Sequence, residues 1–483
     1  MDRSSTVFGN PQKSSTINKA VKTKARYRKK FGDDSQTNYP LSAKANPTLH
    51  SHLGIENITI ENDSSHQWNP KGILVGNIRM GYGHYRISMA IASAAHHLGY
   101  QPYWFDLNAY QETTGGKVIA HLNKLYSLGS RLSQKIPLFN KLYWEKLNSE
   151  GFRKLSYNAV DQKVAELMTP VYNNLPKEMP FIATHTWPAQ AAVHAGLKNV
   201  INIIPDNWPM ALHLAEGATH LVQTPSSYFG YRMLKGMSDN KKNAPMPAAD
   251  IHCAGHFIDH ELLADLAEDC RKRVSRANGH ESIRVLLTVG GAGAQFGIYK
   301  QIICQMLPLV KKNKVCLLIN VGDYKEIWQS LCKEIPELEQ ASNCFADNWQ
   351  GTEEFAGMAL NSEISGIYAF HNQDIYSAVY TTNLLMRVTD IMVTKPSELA
   401  FYPVPKLLIK RVGGHEAYGA LRASELGDGT IEFETVEEIV QMLHLMLDDP
   451  SIVEQMCNSI LDAQSIGVYD GAYNAVKIAV SSQ

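Results

Sequence analysis

Apolar and polar positions first settle into a repeating order at Gly72. Ile73-Leu74-Val75 forms a short apolar run, the glycine-bearing stretch Asn77-Ile-Arg-Met-Gly81-Tyr-Gly83-His84 follows, and Ile87 to His97 carries apolar residues at helical spacing. That succession predicts strand, loop and helix. Tyr103-Trp-Phe-Asp106-Leu comes at the distance expected of the next strand in a βαβ unit. Residues 115 to 175 place Leu, Tyr and Phe at intervals that predict a long helical region. Short apolar runs at Phe181–Thr184, Val200–Ile204, Thr219–Gln223 and Asp250–Cys253 are each separated by helix or turn chemistry. Their rhythm predicts a mostly parallel sheet.

Residues 259 to 282 read as a helix running out into the polar stretch Ser275 to Ser282, and 263–282 is expected to be an interdomain linker. Beyond it the pattern begins afresh, with strands predicted at Ile283–Thr288, Lys314–Val321, Ile391–Thr394 and Lys406–Ile409. Two α/β halves are therefore expected, 69–262 and 283–465, with no close internal repeat and with 466–483 as a last helix packing back on the first half. Residues 1–68 are rich in Ser, Asn, Lys, Thr and Pro and lack a sustained period, which predicts a disordered arm. Lys13 to Lys30 holds eight basic residues and no acidic one, which suits a solvated tail or an arm that seeks anionic phosphate.

Composition narrows the picture. At 483 residues with 44% hydrophobic side chains the chain can bury two substantial cores. Its 46 basic and 47 acidic residues nearly cancel, which argues against a nucleic-acid binder held by a large positive field. Seven scattered cysteines form no C-x-x-C pair, so zinc and dithiol redox motifs are not indicated and a reducing compartment is expected. With no long apolar run and no charged-then-apolar leader pattern, the expected location is the cytoplasm, free or peripheral on the inner face of a membrane.

Three stretches could carry chemistry. The loop from Gly76 through Gly81, Gly83 and His84 lies between a strand and a helix start, where glycines admit a ligand closely and unpaired N–H groups favour negative charge. Thr288-Val-Gly290-Gly291-Ala292-Gly293-Ala-Gln295 has the same placement, and suits either a phosphate cradle or a tight turn of small residues. Neither contains the Gly-Lys-Ser/Thr of a P-loop, so an ATPase is not indicated. In Thr394-Lys395-Pro396-Ser397-Glu398, Ser397 is an N-cap candidate. Glu398 either complements a helix N-terminus or accepts both hydroxyls of a ribose.

Taken in order, these motifs resemble inverting glycosyltransferases of the GT-B fold, similar to the peptidoglycan N-acetylglucosaminyltransferase and the monogalactosyl- and glucosyl-diacylglycerol synthases. Gly81-Tyr-Gly83-His84 resembles the family's glycine loop ending in Gly-His, and Pro205-Asp206-Asn207-Trp208 with His213 resembles the Thr-Asp and downstream His of the glycolipid synthases. Ile251 to Asp259 resembles the strand-Gly-x-Pro crossing, with Phe257 in place of proline. Gly290-Gly291-Ala292-Gly293 resembles the loop under the nucleotide diphosphate. Ser397 to Pro405 resembles the segment whose Glu holds the ribose, and His415-Glu416 with Ala420 to Glu425 the helix after it. The resemblance spans about residues 72 to 440. It departs before Glu398, where Lys395-Pro396 shortens a glycine-containing stretch that helps hold the diphosphate.

The resemblance implies two Rossmann-like domains facing across a cleft, and transfer of a sugar from a nucleotide donor, UDP in the first instance, to an acceptor hydroxyl. His84 and Asp206 are the candidate bases, with His185 a third, since an imidazole or a desolvated carboxylate can be tuned near the working pH. Gly290, Gly291, Ala292, Gly293, Lys395, Ser397, Glu398, His415 and Glu416 would hold the donor, and Gly81, Gly83, His185 and His213 would lie on the acceptor side. No metal or other cofactor is required. A lipid acceptor is implied if Tyr126, Leu128, Ile136, Leu138, Phe139, Leu142, Tyr143 and Trp144 form an interfacial surface rather than ordinary helix packing, and the basic arm would then tether the protein to an anionic membrane. No nucleic-acid partner is expected. Two other readings stay open: a nucleotide-sugar epimerase or hydrolase on the same fold, and a non-catalytic binding protein that has lost the donor loop.

Overall fold

A computed structural model describes residues 2–61, 66–135, 151–238, 242–279, 281–289 and 295–481, with no side chains described for 126–135. The chain divides into two α/β units, Met1–Asp259 with Asp470–Gln483, and His260–Tyr469. Each is a Rossmann-like half built on a mostly or wholly parallel sheet. The expected interfacial residues Tyr126 to Trp144 lie outside the described side chains.

In the first unit the strands are β3 (Leu41–Ala45), β4 (Glu56–Ile60), β5 (Gly72–Asn77), β6 (Gln101–Asp106), β7 (Phe181–Ala183), β8 (Val200–Ile203), β9 (Thr219–Val222) and β10 (Ile251–Cys253), preceded by a small hairpin of β1 (Thr6–Val7) and β2 (Asn10–Pro11). They form an eight-stranded sheet ordered β10-β9-β8-β7-β5-β6-β4-β3. Only β3 runs antiparallel, against β4. In β5, Val75 pairs with Trp104 of β6 and with Ile182 of β7. Every residue of β5 is buried because helices cover both faces of the sheet.

On one face Ile73, Val75, Ile87, Ala90, Ile91 and Ala94 pack with Ala472, Ala475, Val476 and Ala479. The C-terminal helix Gly471–Ser481 therefore lies on the first unit, its alanines letting it approach closely. The crossing is tight. A Cβ on Gly471 would stand 2.3 Å from the Gly255 carbonyl oxygen, and the Gly471 N–H donates to His256 O at 2.9 Å.

The expectation of a disordered arm is corrected, because residues 2–61 are part of this unit. Val7, Phe8, Ala20, Tyr27, Leu41, Leu49, Leu53, Ile55 and Ile58 are all buried. Asn10 exchanges side-chain hydrogen bonds with the Ala244 backbone at 3.1 and 2.8 Å, and Lys24 pairs with Glu166 at 2.5 Å. The apolar residues are few, so the composition suggests disorder, yet nearly all of them are spent on contacts. The helix Ser14–Phe31 buries only Ala20 and Tyr27, while Lys19, Lys22, Arg26 and Lys29 stand exposed at spacings that place them on one face. Tyr27→Ala is expected to lower the unfolding free energy by about 3 kcal/mol in urea. Unchanged stability would return the segment to a loosely held tail.

The linker expected at 263–282 is likewise corrected, since the unit boundary falls at Asp259/His260. The helix Leu266–Gly279 belongs to the second unit, and its polar residues are anchored. Arg273 donates to Met386 O and Thr389 O at 2.9 and 2.8 Å, closing the end of the helix Ile375–Val388. Arg276 pairs with buried Asp390 at 2.6 Å.

The second sheet is parallel throughout, ordered β13-β14-β12-β11-β15-β16-β17. Its strands are β11 (Ile283–Thr288), β12 (Val315–Asn320), β13 (Ser342–Ala346), β14 (Gly366–His371), β15 (Ile391–Thr394), β16 (Lys406–Ile409) and β17 (Gly429–Phe433). Strands β13, β14 and β17 lie outside the set expected from sequence. In each sheet two adjacent central strands, β5 and β7 in the first and β11 and β15 in the second, are followed by strands that lie on opposite sides of them. Ligands of open parallel sheets bind at the carboxyl ends of the strands flanking such a point.

Candidate functional site

At the first switch point, the loop after β5 turns through Gly81, whose φ of +77° favours glycine, and enters the helix Gly83–His97. His84 stands in its first turn. The strand β7 ends at Ala183, and Thr184 and His185 follow. His84 Nδ1 lies 2.6 Å from Thr184 O. A carbonyl only accepts, so Nδ1 carries the proton and neutral His84 has its lone pair on Nε2. Thr184 Oγ1 donates to His84 O at 3.1 Å and contacts Ser88 Oγ at 2.8 Å, so the histidine is held from both its ring and its backbone.

His185 caps the next helix, its Nδ1 accepting the Trp187 N–H at 3.1 Å. Its proton in the neutral form is therefore on Nε2. Burial pushes its pKa well below the usual histidine value, with His84 and His213 adding to the effect. Neutral His185 therefore presents its Nε2–H as a donor. The two rings meet edge to face, with centroids 4.8 Å apart.

Asp206 and His213 come from the segment after β8. His213 Nε2 lies 3.4 Å from Asp206 Oδ2. The turn that carries His213 is pinned from beneath: Asn202 donates to His213 O at 2.7 Å, and Asn158 and Gln190 donate to Leu214 O at 2.7 and 2.9 Å. His84 and His185 thus meet where the chain leaves β5 and β7, and Asp206 and His213 meet in the segment that follows β8 of the same sheet.

At the second switch point, Gly290, Gly291, Ala292 and Gly293 lie outside the described residues. After β15, Lys395 Nζ donates to Glu416 Oε1, whose other oxygen accepts Val412 N at 2.7 Å and Gly413 N at 3.2 Å. Burial raises the Glu416 pKa, but Lys395, His415 and the Val412 N–H outweigh it and hold the carboxyl below its ordinary value. Lys395 and Glu416, expected as donor contacts, are engaged with each other and fasten two loops together. Ser397 occupies the N-cap position of the short 3₁₀ helix Glu398–Phe401 but makes no side-chain capping hydrogen bond. The helix Ala417–Leu426 lies directly on this segment, where a Cβ on Gly419 would stand 2.8 Å from Pro396 O. Glu398 and His415 are half-buried in the loops after β15 and β16.

Each half has its own family match. Residues 6–233 match the model described as Domain of unknown function (DUF6937), and residues 246–480 match the one described as Domain of unknown function (DUF6938). No curated protein matches the chain. Among solved structures it is similar to UDP-GlcNAc 2-epimerase from Neisseria meningitidis bound to UDP-GlcNAc, at 12% identity and a TM-score of 0.44, over 85% of this chain and 100% of that one. A putative UDP-N-acetylglucosamine 2-epimerase from Listeria monocytogenes matches at 13% identity and a TM-score of 0.42, over 85% and 96%. An α,α-trehalose 6-phosphate synthase from Burkholderia multivorans matches at 10% identity and a TM-score of 0.41, over 85% and 99%. Among the described residues no helix is long and apolar enough to cross a membrane.

The sequence singles out neither Thr184 nor Asn207 for a role of its own beside the histidines and Asp206. Thr184 was visible only as the end of a strand. Asn207 Oδ1 accepts Thr224 Oγ1 at 2.9 Å, tying the Asp206 loop to the cap of the helix Pro225–Arg232.

Proposed function

We propose that the chain is a nucleotide-sugar enzyme, an inverting glycosyltransferase moving a sugar from a UDP donor to an acceptor hydroxyl. The reading is supported above all by the pairing of His84 Nδ1 with Thr184 O across the first switch point, which fixes the ring and its tautomer at the carboxyl edge of the sheet, where a ligand is expected. His84 Nε2 takes the acceptor proton while the acceptor oxygen attacks the anomeric carbon. The bond from that carbon to the diphosphate breaks, and UDP leaves. Gly290, Gly291, Ala292 and Gly293 are assigned to the diphosphate through backbone N–H groups, Glu398 to the ribose, and the Lys395–Glu416 pair to keeping the loops around them in place. An acceptor presented on an anionic lipid surface accords with the exposed cations of the Ser14–Phe31 helix.

A nucleotide-sugar epimerase or hydrolase remains the second reading, because the short Thr394–Glu398 connection departs from the glycosyltransferase pattern. Calorimetric titration of the full chain with UDP, other nucleoside diphosphates and their sugar conjugates tests both. Selective nucleotide binding, weakened at least about tenfold by Glu398→Ala and spared by His84→Ala, is expected. Incubating the selected sugar nucleotide without acceptor then separates the readings: epimer or free sugar favours the second, an unchanged donor the first. A folded protein that binds no nucleotide overturns both.

A further inference from the structure

The hydrogen bonds of Tyr231 determine the state of His213. The hydroxyl, buried in the helix Pro225–Arg232, has three polar neighbours: Met210 N at 3.3 Å, Trp208 O at 3.0 Å and His213 Nδ1 at 2.6 Å. Met210 N–H can only donate and Trp208 O can only accept. The hydroxyl has one proton and two lone pairs. If the proton goes to His213 Nδ1, Trp208 O is left facing an oxygen at 3.0 Å with no hydrogen between them. If it goes to Trp208 O, all three contacts are satisfied, and His213 Nδ1 must carry a proton to donate back. On the other side of the ring, Nε2 faces the Asp206 carboxylate at 3.4 Å. Both ring nitrogens therefore look onto acceptors.

We propose that Tyr231 is a positioning residue that holds His213 as an imidazolium, so that His213 and Asp206 form a fixed ion pair beside His84. This rests on the nucleotide-sugar reading for its use and divides the work between the two candidate bases. In that pair the Asp206 carboxylate is engaged by His213 Nε2 at 3.4 Å. Asp206 then orients the acceptor and supplies negative charge, and proton removal falls to His84. Among the described residues, Asp206, Tyr231 and His185 lie on His213, and Arg153 is placed over the Trp208 ring at 5.1 Å.

The test needs no substrate. In the full chain labelled with ¹⁵N-histidine, with His213 assigned through His213→Gln, both ring nitrogens should give protonated signals at pH 7. Tyr231→Phe removes the acceptor at Nδ1 and should move His213 to the neutral Nε2–H form. Asp206→Asn removes the anion at Nε2 and should leave the neutral Nδ1–H form. Opposite tautomers from the two variants are the signature of the proposal, which loss of packing alone would not produce. A neutral Nε2–H His213 in the wild type, or a Tyr231→Phe spectrum unchanged from it, overturns the proposal. Should Tyr231→Phe not fold, the wild type and Asp206→Asn still decide. The outcome is independent of nucleotide binding, so failure of the titration above would leave this pair standing without its assigned role.

Discussion

Replacing Lys406 with alanine is expected to destabilise the protein by about 3–5 kcal/mol. Lys406 points inward from β16 and is wholly buried. Its Nζ lies 2.8 Å from Asp428 Oδ1, itself wholly buried, and donates to Tyr402 O at 2.8 Å and Val404 O at 3.2 Å. Tyr469 donates to the other Asp428 oxygen at 3.0 Å. Burial lowers the Lys406 pKa and raises that of Asp428, and each partner's charge works against the shift in the other. Alanine would leave the carboxylate buried with the Tyr469 phenol as its remaining hydrogen-bond partner among the described residues. The pair also sits where pairing of β16 with β17 is irregular, between Lys406 and Leu408, so it ties an edge strand to Tyr469. Urea unfolding of Lys406→Ala, of Lys406→Met and of Lys406→Met with Asp428→Asn measures this. The double variant should recover much of the loss, because a buried ion pair adds little over a neutral isostere while half a pair is costly. A Lys406→Ala loss under about 1 kcal/mol, or additive losses in the double variant, would show that water reaches the site.

That pair illustrates what a linear reading misses. Lys406 opens the apolar run Lys406–Ile409 and reads as the polar rim of a strand, because its partner lies in the next connection, beyond a helix. The units beginning at Gly72 and Ile283 are legible because each combines a fully buried parallel strand, a glycine loop and an amphipathic helix, three cues in a fixed order. Strands β13 and β17 are not, since they lie on edges and are largely half-buried or exposed, so no apolar run marks them. The same reason hides the order of residues 2–61. Burial there is achieved by a few residues, Tyr27 and Ile58 among them, set in polar surroundings. His84 and His185 are legible by their place after strands, and Asp206 and His213 only through the resemblance of the stretch that carries them. Tyr231 is not, because an aromatic in the last turn of a helix reads as core until its three hydrogen bonds are counted. The Lys395–Glu416 pair joins two loops that no local pattern connects.

Beneath the same site, Asp161→Asn is expected to stabilise the protein above neutral pH. Asp161 lies on the helix Leu155–Ala165, where burial pushes its carboxyl up to about 7, offset in part by a hydrogen bond from the Trp187 side chain. Among the described residues its Oδ2 has no hydrogen-bond partner, and neither have the polar atoms of the Gln162 amide nor His194 Nε2 on these two packed helices. The sign follows from the raised value. Between the unfolded pKa of 3.8 and the folded one of about 7, the folded state holds a proton that the unfolded state has released, so stability falls as pH rises through that window. Above it, ionised Asp161 costs up to about 4 kcal/mol. Asparagine keeps an acceptor for the indole and removes the titration. Unfolding free energies at pH 5 and pH 8 should therefore diverge in the wild type and converge in the variant, with the larger gain at pH 8; parallel shifts at both pH values would mean that the carboxyl is hydrated. The outcome bears on the site itself. Trp187 stands between Asp161 and the His185 ring, 4.9 Å from its centroid, so a carboxyl kept at this cost in stability would be retained for what it does to that floor. Loss of nucleotide-dependent turnover in a more stable Asp161→Asn protein would mark it as functional, whereas full turnover would leave it a destabilising remnant of the packing between two helices.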